Sequence, residues 1–514
     1  MNIAEIILAK GEDSAPALLQ GDAVVTWAQL REAVVQVAHE LLARGRSPGD
    51  RIGLFSENSS FFVASYLGII RAGMVVVPFP TELTQPSFDR IISDAGITEV
   101  FVSRRFLNRI RPWVEKRGIA LTEEASSCAN VQSAGSRLTA TPSPGYSDAR
   151  GGDELAALMF TSGSTGAPKG VMVSHRNIEC NSRDIINYLG LTAADRAMVV
   201  LPFHYCFGLS LLHTHLMAGA SLVLNNNFKL YPETVLQEME QRECTGLAGV
   251  PSTYQFLLHN SRFRNTSFPK LRWFQQAGGK LPDACIREVL DAFPPTRFFL
   301  MYGQTEATAR LSYLAPEDLR DKLGSIGKGL PSTRLEVLKA DGSPVVPGST
   351  ETGEIVASGD NITLGYWNDP LETSKYFRNR KLYTGDIARV DADGFIYIVG
   401  RERGMIKSGG NRVSAEEVEG IIAELPGVVE VAVVGVPHEL LGEAIKAFVV
   451  TSAGIPALGD AVLHHCRQRL PAFKVPEEVV FLSELPHNSS GKVIKSRLKD
   501  LNTARAYSEA VTVT

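Results

Sequence analysis

The first half of the chain alternates short apolar strands with amphipathic helices, and that alternation restricts it to an α/β architecture. Thr26 stands as an N-cap ahead of Leu30, Val34, Val37 and Leu41, which recur on one helical face until Gly45 stops the pattern. Apolar strands are expected at residues 51–55, 75–78 and 100–103. Strands joined through helices form parallel sheets with right-handed crossovers, so loops and ligands gather at the carboxyl ends of the strands. A chain of 514 residues exceeds what one core organises, so at least two domains with a cleft between them are expected.

Residues 124–152 are rich in Ser, Gly, Pro and Ala and read as a flexible connection between subdomains. A second boundary is expected near Gly400, dividing a large domain, 1–400, from a small one, 401–514. Beyond it Ser414 and Glu417 mark a helix start ahead of Val418, Ile421, Ile422 and Leu425. Pro426 and Gly427 end that helix, and residues 431–436 read as an apolar strand, which makes a small α+β domain.

Composition narrows the function. A formal net charge of −4 with 44% hydrophobic residues provides no global basic field, so nucleic acid is not an expected partner. The six cysteines lack CxxC spacing, which argues against a zinc ribbon or a disulfide framework and suits a reducing compartment. The N-terminus shows no basic leader followed by an apolar run. The most apolar stretch, 199–224, is broken by Pro202, His204, His213 and His215. No membrane span is expected, and the cytoplasm is the expected compartment.

The sharpest local signal is residues 160–170, FTSGSTGAPKG, placed directly after the apolar run 155–159 and so at a strand exit. Gly163, Gly166 and Gly170 permit tight turning and present N–H groups to an anion. Thr161, Ser162, Ser164 and Thr165 add hydroxyls, and Lys169 adds charge. Such a loop suits a polyphosphate. It is not a GxxxxGK[ST] loop, because the glycine spacing differs and Gly170 follows the lysine.

Downstream stand Tyr302-Gly303-Gln304-Thr305-Glu306, then Tyr383-Thr384-Gly385-Asp386, then Gly400-Arg401-Glu402-Arg403, and finally NSSGKVIK at 488–495. In this order the segments resemble the core motifs of the adenylate-forming superfamily, which includes acyl- and aryl-CoA synthetases, peptide-synthetase adenylation domains and firefly luciferase. The resemblance runs from the Thr26-Trp27 region to Lys495 and is closest in pattern to stand-alone acyl-CoA synthetases. It implies a large N-terminal domain of parallel sheets with helices and a β-rich subdomain, followed by a small mobile α+β C-terminal domain. The implied activity is an AMP-forming carboxylic acid:thiol ligase using ATP, Mg²⁺ and coenzyme A.

The same resemblance assigns roles. Glu306 is implied as the Mg²⁺ ligand, Thr305 as a phosphate contact and Tyr302 as the adenine platform. Asp386 and Arg401 are implied on the ribose, with Asp386 in a turn between strand-like runs; were the two structural, they would pair with each other on the surface. Gly278 and Gly279 would line the adenine and acyl site. Lys492 would neutralise the α-phosphate during adenylation and withdraw afterwards. Arg403 matches the hinge, where relatives carry Asp or Lys, and Gly404 departs from the usual acidic residue. After rotation, residues 408–411 would line a pantetheine tunnel, with Gly410 at its narrowest point.

The segment 201–209, LPFHYCFGL, places His204 beside the substrate carboxylate by the same resemblance. Peptide-synthetase domains hold an α-ammonium group with an Asp after Phe, whereas Lys229 follows Phe228 here, so an α-amino acid is disfavoured. Residues 250–253 and 276–279 are expected as walls of an apolar pocket for a fatty or aryl acid. The acceptor left open beside coenzyme A is the phosphopantetheine of a separate acyl or peptidyl carrier protein, and a luciferase-like monooxygenase is a minor alternative.

Overall fold

The computed structural model describes residues 1–124, 152–162, 168–228, 230–401, 405–408, 411–438, 440–452, 459–488 and 493–501. The helix Trp27–Ala43 begins at a reciprocal cap in which Thr26 Oγ1 accepts from Gln29 N–H and the Gln29 side chain accepts from Thr26 N–H. Its stripe of Leu30, Val34, Val37 and Leu41 is buried. Strands Arg51–Phe55 and Val75–Pro78 fall where the sequence places them. The next strand is Glu99–Val102, one residue earlier than expected, because Ser103 leaves it to become the N-cap of helix Arg104–Arg117.

Two largely parallel sheets form the frame. One runs Ala120–Glu123, Glu99–Val102, Arg51–Phe55, Val75–Pro78, Leu155–Ser162, and closes on an antiparallel hairpin partner, Pro168–Ser174. The other carries Arg297–Tyr302, Trp273–Gln276, Gly246–Gly249, Arg196–Val199, Ser221–Leu224 and Pro16–Gln20 in parallel, with Ser312–Leu314 and Ala23–Thr26 antiparallel at its edges. One apolar core unites them. Ile52, Leu54 and Val76 of the first sheet join Ala197, Val199, Leu222 and Trp273 of the second, together with the helices between them. Helix Cys206–Met217 is buried along its whole length, as a helix sandwiched between sheets must be.

A third, antiparallel sheet holds Gly329–Leu330, Thr333–Leu338, Gly353–Gly359, Lys381–Val390 and Phe377–Arg378, with Ile396–Arg401 paired to Lys381–Val390. A fourth contains Asn411–Ser414, Met405–Ser408, Gly442–Thr451, Val428–His438 and Glu478–Phe481, with its own apolar core around Val418, Ile422 and Cys466. Ser414 Oγ accepts from Glu417 N–H and opens helix Ala415–Ile422. Gln255 Nε2 donates to Val429 O at 2.9 Å, linking the large sheet's helices to this C-terminal unit. No described helix is long and apolar enough to cross a membrane.

Candidate active site

Strands Arg196–Val199, Gly246–Gly249, Trp273–Gln276 and Arg297–Tyr302 point the same way, so their exits share one edge of the sheet. The segments leaving that edge carry His204, Val250-Pro251, Gly278-Gly279 and Gly303 to Glu306. They meet closely. A β-carbon on Gly278, which has φ +89°, would stand 3.1 Å from the Tyr205 hydroxyl and 3.1 Å from Val250 Cγ1, and one on Gly279 would stand 3.3 Å from Pro251 Cγ. Glycine here keeps a close approach of three loops open that a side chain would fill.

His204 is positioned from the other sheet. Asn58, 4% exposed, donates through Nδ2 to Leu201 O and accepts from Phe203 N–H, both at 2.8 Å, and so brackets the backbone just before the histidine. Burial pushes His204 down to about 4 against the opposing charge of Glu82, so its ring is neutral at neutral pH. The next residues close on the Glu306 loop, where Thr305 Oγ1 donates to Cys206 Sγ at 3.4 Å.

The Glu306 carboxylate is tied at one oxygen. Oε1 accepts from the Tyr366 hydroxyl at 2.8 Å, while Oε2 takes no hydrogen bond among the described residues. Burial, then the Glu306 charge, keeps Tyr366 protonated and donating. Lys169 Nζ lies 5.6 Å from the Tyr366 ring centroid and pairs with Glu372, which also pairs with Lys375 at 2.7 Å. The two lysines hold the Glu372 carboxyl down to about 2. Among the described residues no group of three or more His, Cys, Asp or Glu gathers to cage a metal. A single carboxylate with one open oxygen fits Mg²⁺, which binds through one or two carboxylates plus phosphate and water.

Asp386 is 1% exposed and engaged at both oxygens: Arg401 Nε donates to Oδ1 at 2.5 Å and the Tyr302 hydroxyl donates to Oδ2. The pair that a surface structural role would show is therefore present: Arg401 is exposed, while the Asp386 carboxylate is buried and is held on its other oxygen by Tyr302. Burial first, then the Asp386 charge, keeps Tyr302 protonated, and Asp386 in turn holds the Arg401 guanidinium firmly charged. A carboxylate offers about four lone-pair sites, so two remain for ribose hydroxyls. Asp386 sits within strand Lys381–Val390 rather than in a turn; Gly385 before it has φ +74° and bends the strand locally.

The phosphate-loop expectation is modified in the same way. Lys169 and Gly170 belong to the return strand Pro168–Ser174, where Lys169 faces Thr161 and Gly170 faces Phe160 across the hairpin. A β-carbon on Gly170 would press the Phe160 ring at 3.0 Å, so this glycine serves the hairpin's packing rather than a turn. Thr161 and Ser162 end strand Leu155–Ser162. Gly163, Ser164, Thr165 and Gly166 lie outside the described residues, as do Arg403, Gly404, Gly410 and Lys492. Two participants carried no local sequence signal. Tyr366 and Glu372 reach Glu306 and Lys169 from 60 and 203 positions away.

Thr161 at the end of one sheet's hairpin strand, the half-buried Glu306 carboxylate beyond the other sheet's strand exits, and the buried Asp386 carboxylate held by Arg401 and Tyr302 suit an enzyme of nucleotide phosphate chemistry. Residues 8–367 match the family model for AMP-binding enzymes, and residues 417–492 match that for the AMP-binding enzyme C-terminal domain. A feruloyl-CoA synthase of an Amycolatopsis species is 34% identical over 96% of both chains. A long-chain-fatty-acid–CoA ligase of Mycobacterium tuberculosis is 31% identical over 94% of both. The crystal structure of ATP-bound MatB from Rhodopseudomonas palustris superposes with a TM-score of 0.87 at 30% identity, covering 97% of this chain and 98% of that one. The chain belongs to the AMP-binding enzyme family. It is an AMP-forming acid–CoA ligase that uses ATP and coenzyme A.

Proposed function

We propose that the ligase activates an aromatic or short-to-medium aliphatic acid, with Mg²⁺ held by Glu306. The acid carboxylate attacks the α-phosphate of ATP, pyrophosphate departs, and the acyl-adenylate passes its acyl group to the coenzyme A thiol, releasing AMP. The observation that carries the substrate class is the close meeting of Tyr205, Val250 and Pro251 around Gly278 and Gly279, a surface of apolar carbon and one phenol. Phe228, which precedes the position where an ammonium-binding Asp would stand, is buried edge-on against Phe256.

In this reading Thr161, Ser162, residues 163–166, Lys169 and Thr305 hold the phosphates, and Asp386 with Arg401 holds the ribose. Tyr302, whose hydroxyl donates to Asp386, offers its ring face to the adenine. His204 stays neutral beside the substrate carboxylate and donates to it without adding charge. Lys492 serves the first half-reaction, Gly410 the pantetheine passage and Arg403 the hinge between domains 1–400 and 401–514. The five described cysteines are all unpaired thiols, which supports a reducing, cytoplasmic setting.

The test is pyrophosphate release across a panel of aryl, aliphatic and α-amino acids, with thioester formed on coenzyme A or on a carrier's phosphopantetheine. Turnover of an apolar acid with coenzyme A supports the reading. An α-amino acid as best substrate refutes the pocket, and transfer only to a carrier refutes the acceptor.

A further inference from the structure

Four residues beyond Glu306 the chain places an arginine where apolar packing would be ordinary. Arg310 is 1% exposed, one of the largest fully buried side chains in the protein. No carboxylate lies within ion-pair distance of it among the described residues. Its hydrogen bonds are long and neutral: Nε to the Tyr188 hydroxyl at 3.4 Å and Nη2 to Gln275 Oε1 at 3.4 Å. The Phe207 ring centroid lies 4.8 Å from its guanidinium carbon. Nη1 takes no partner among the described residues. Gln275 is itself fully buried, and its Nε2 has no hydrogen-bond partner. The buried Gln275 amide nitrogen therefore lacks an acceptor beside a guanidinium that no carboxylate among the described residues neutralises.

The backbone enforces this placement. Ala309 N–H donates to Ala307 O at 2.7 Å, closing a three-residue turn at Thr308 with φ +68° and ψ −52°. A β-branched residue rarely adopts that conformation, and it persists only where surroundings dictate it. They do: Thr308 Oγ1 donates to Asn361 O at 2.7 Å, and Arg310 O accepts from Asn181 Nδ2 and Asn361 Nδ2, each at 2.8 Å. The turn follows Glu306 directly and sends Arg310 inward beneath the segment that carries His204. Its charge reaches Tyr205 and Cys206 there, and Gln275 lies on the strand that exits into Gly278 and Gly279. A buried, unpaired guanidinium is costly, and an apolar residue of the same size would avoid the cost.

We propose that Arg310, assisted by Gln275, is a specificity-determining residue that receives a second carboxylate at the distal end of the acid substrate. The proposal rests on the acyl-pocket reading above and refines it: the walls are apolar and the end is cationic. A neutral acceptor such as a phenol would fill one hydrogen bond but leave the charge uncompensated. A carboxylate fills both oxygens and cancels the charge, as paired buried ions do.

The test compares cinnamates bearing a 4-carboxylate, a 4-hydroxyl or a 4-methyl group, and α,ω-dicarboxylates of four to ten carbons against monoacids of equal length, by pyrophosphate release. In the wild type at least one diacid is expected to exceed its monoacid partner in kcat/KM by roughly 10- to 100-fold. Arg310→Met should reverse that order, keeping the methyl or monoacid substrate within about threefold while losing the diacid, mainly through KM. Arg310→Lys should restore part of the diacid activity. Wild-type preference for the methyl or hydroxyl acid overturns the assignment, as does an unchanged diacid ratio in Arg310→Met. If that variant fails to fold, Gln275→Leu supplies the same comparison. If no acid of either series releases pyrophosphate, while others in the wider panel do, only the Arg310 assignment falls; silence from every acid removes the pocket reading as well.

Discussion

The hydroxyl of Tyr366 donates to Oε1 of Glu306 at 2.8 Å and leaves Oε2 without a partner among the described residues. This bond aims the free oxygen, and an aimed ligand is what a weakly held Mg²⁺ needs. Tyr366→Phe removes the bond while keeping the ring, which packs against Tyr376 and Phe377. We expect the Mg²⁺ concentration for half-maximal pyrophosphate release to rise about 10-fold, as outer-shell losses typically do, with thermal stability nearly unchanged. A variant whose Mg²⁺ titration overlays the wild type would show that Tyr366 only packs.

Asp386 holds Tyr302 and Arg401 through its two oxygens, and the proposed reading gives it the ribose as well. Asp386→Asn should raise KM for ATP by roughly 10- to 100-fold, the scale of charge-assisted hydrogen bonds. The separation of roles comes from 2′,3′-dideoxy-ATP. If Asp386 binds the ribose hydroxyls, the variant and the dideoxy nucleotide should each weaken ATP use and together do little more than either alone. Full additivity would assign the loss to the collapsed Arg401 pair instead.

Much of this architecture was legible because local rules and global packing agree. Thr26 and Gln29 cap a helix whose apolar stripe is the one buried, and 51–55 and 75–78 are strands with no competing signal. Where a residue had two uses the reading slipped. Ser103 reads as the end of a β run but caps the following helix. Lys169 and Gly170 read as loop because they adjoin glycines and hydroxyls, yet Thr161 and Phe160 zip them into a hairpin. Tyr366, Glu372 and Arg310 take their meaning from partners brought near by folding, which the sequence does not show. The one local hint was Arg310, a charge inside the otherwise uncharged run 307–315.

The division of labour between half-reactions yields a separate expectation. Lys492→Ala should abolish adenylate formation while sparing thioester formation from presynthesised acyl-adenylate, because an ammonium that neutralises the α-phosphate has no role once pyrophosphate has left. Gly410→Leu should do the reverse by obstructing the pantetheine passage. Single-turnover measurements of the two steps decide it: equal losses in both steps for either variant would refute the assignment for that residue.

Acid should destabilise the enzyme before its carboxylates titrate. Burial holds four histidines neutral: His213, pushed down to about 3, and His215, His175 and His204, each to about 4, with burial the leading cause in every case. Their unfolded value is 6.5, so between that pH and about 4 the unfolded chain binds protons that the folded chain refuses. Stability is therefore highest above pH 6.5 and falls as pH drops through this window. At about 1.4 kcal/mol per pKa unit, lowering the pH from 7 to 5 costs about 2 kcal/mol for each ring. That is a large share of a typical stability of about 5–15 kcal/mol. Glu419 acts in the opposite direction, since burial raises its carboxyl and the folded state gains a proton there first, but it is a single group. Thermal denaturation at pH 7.5, 6 and 5 should show a flat upper region and then a drop of several degrees. His213→Gln, which keeps an acceptor for the Tyr66 hydroxyl now 2.9 Å from Nε2, should shallow that drop by about a quarter, the share of one histidine in four. A melting temperature that stays level to pH 5, or a slope that His213→Gln leaves untouched, would assign the acid response to other groups.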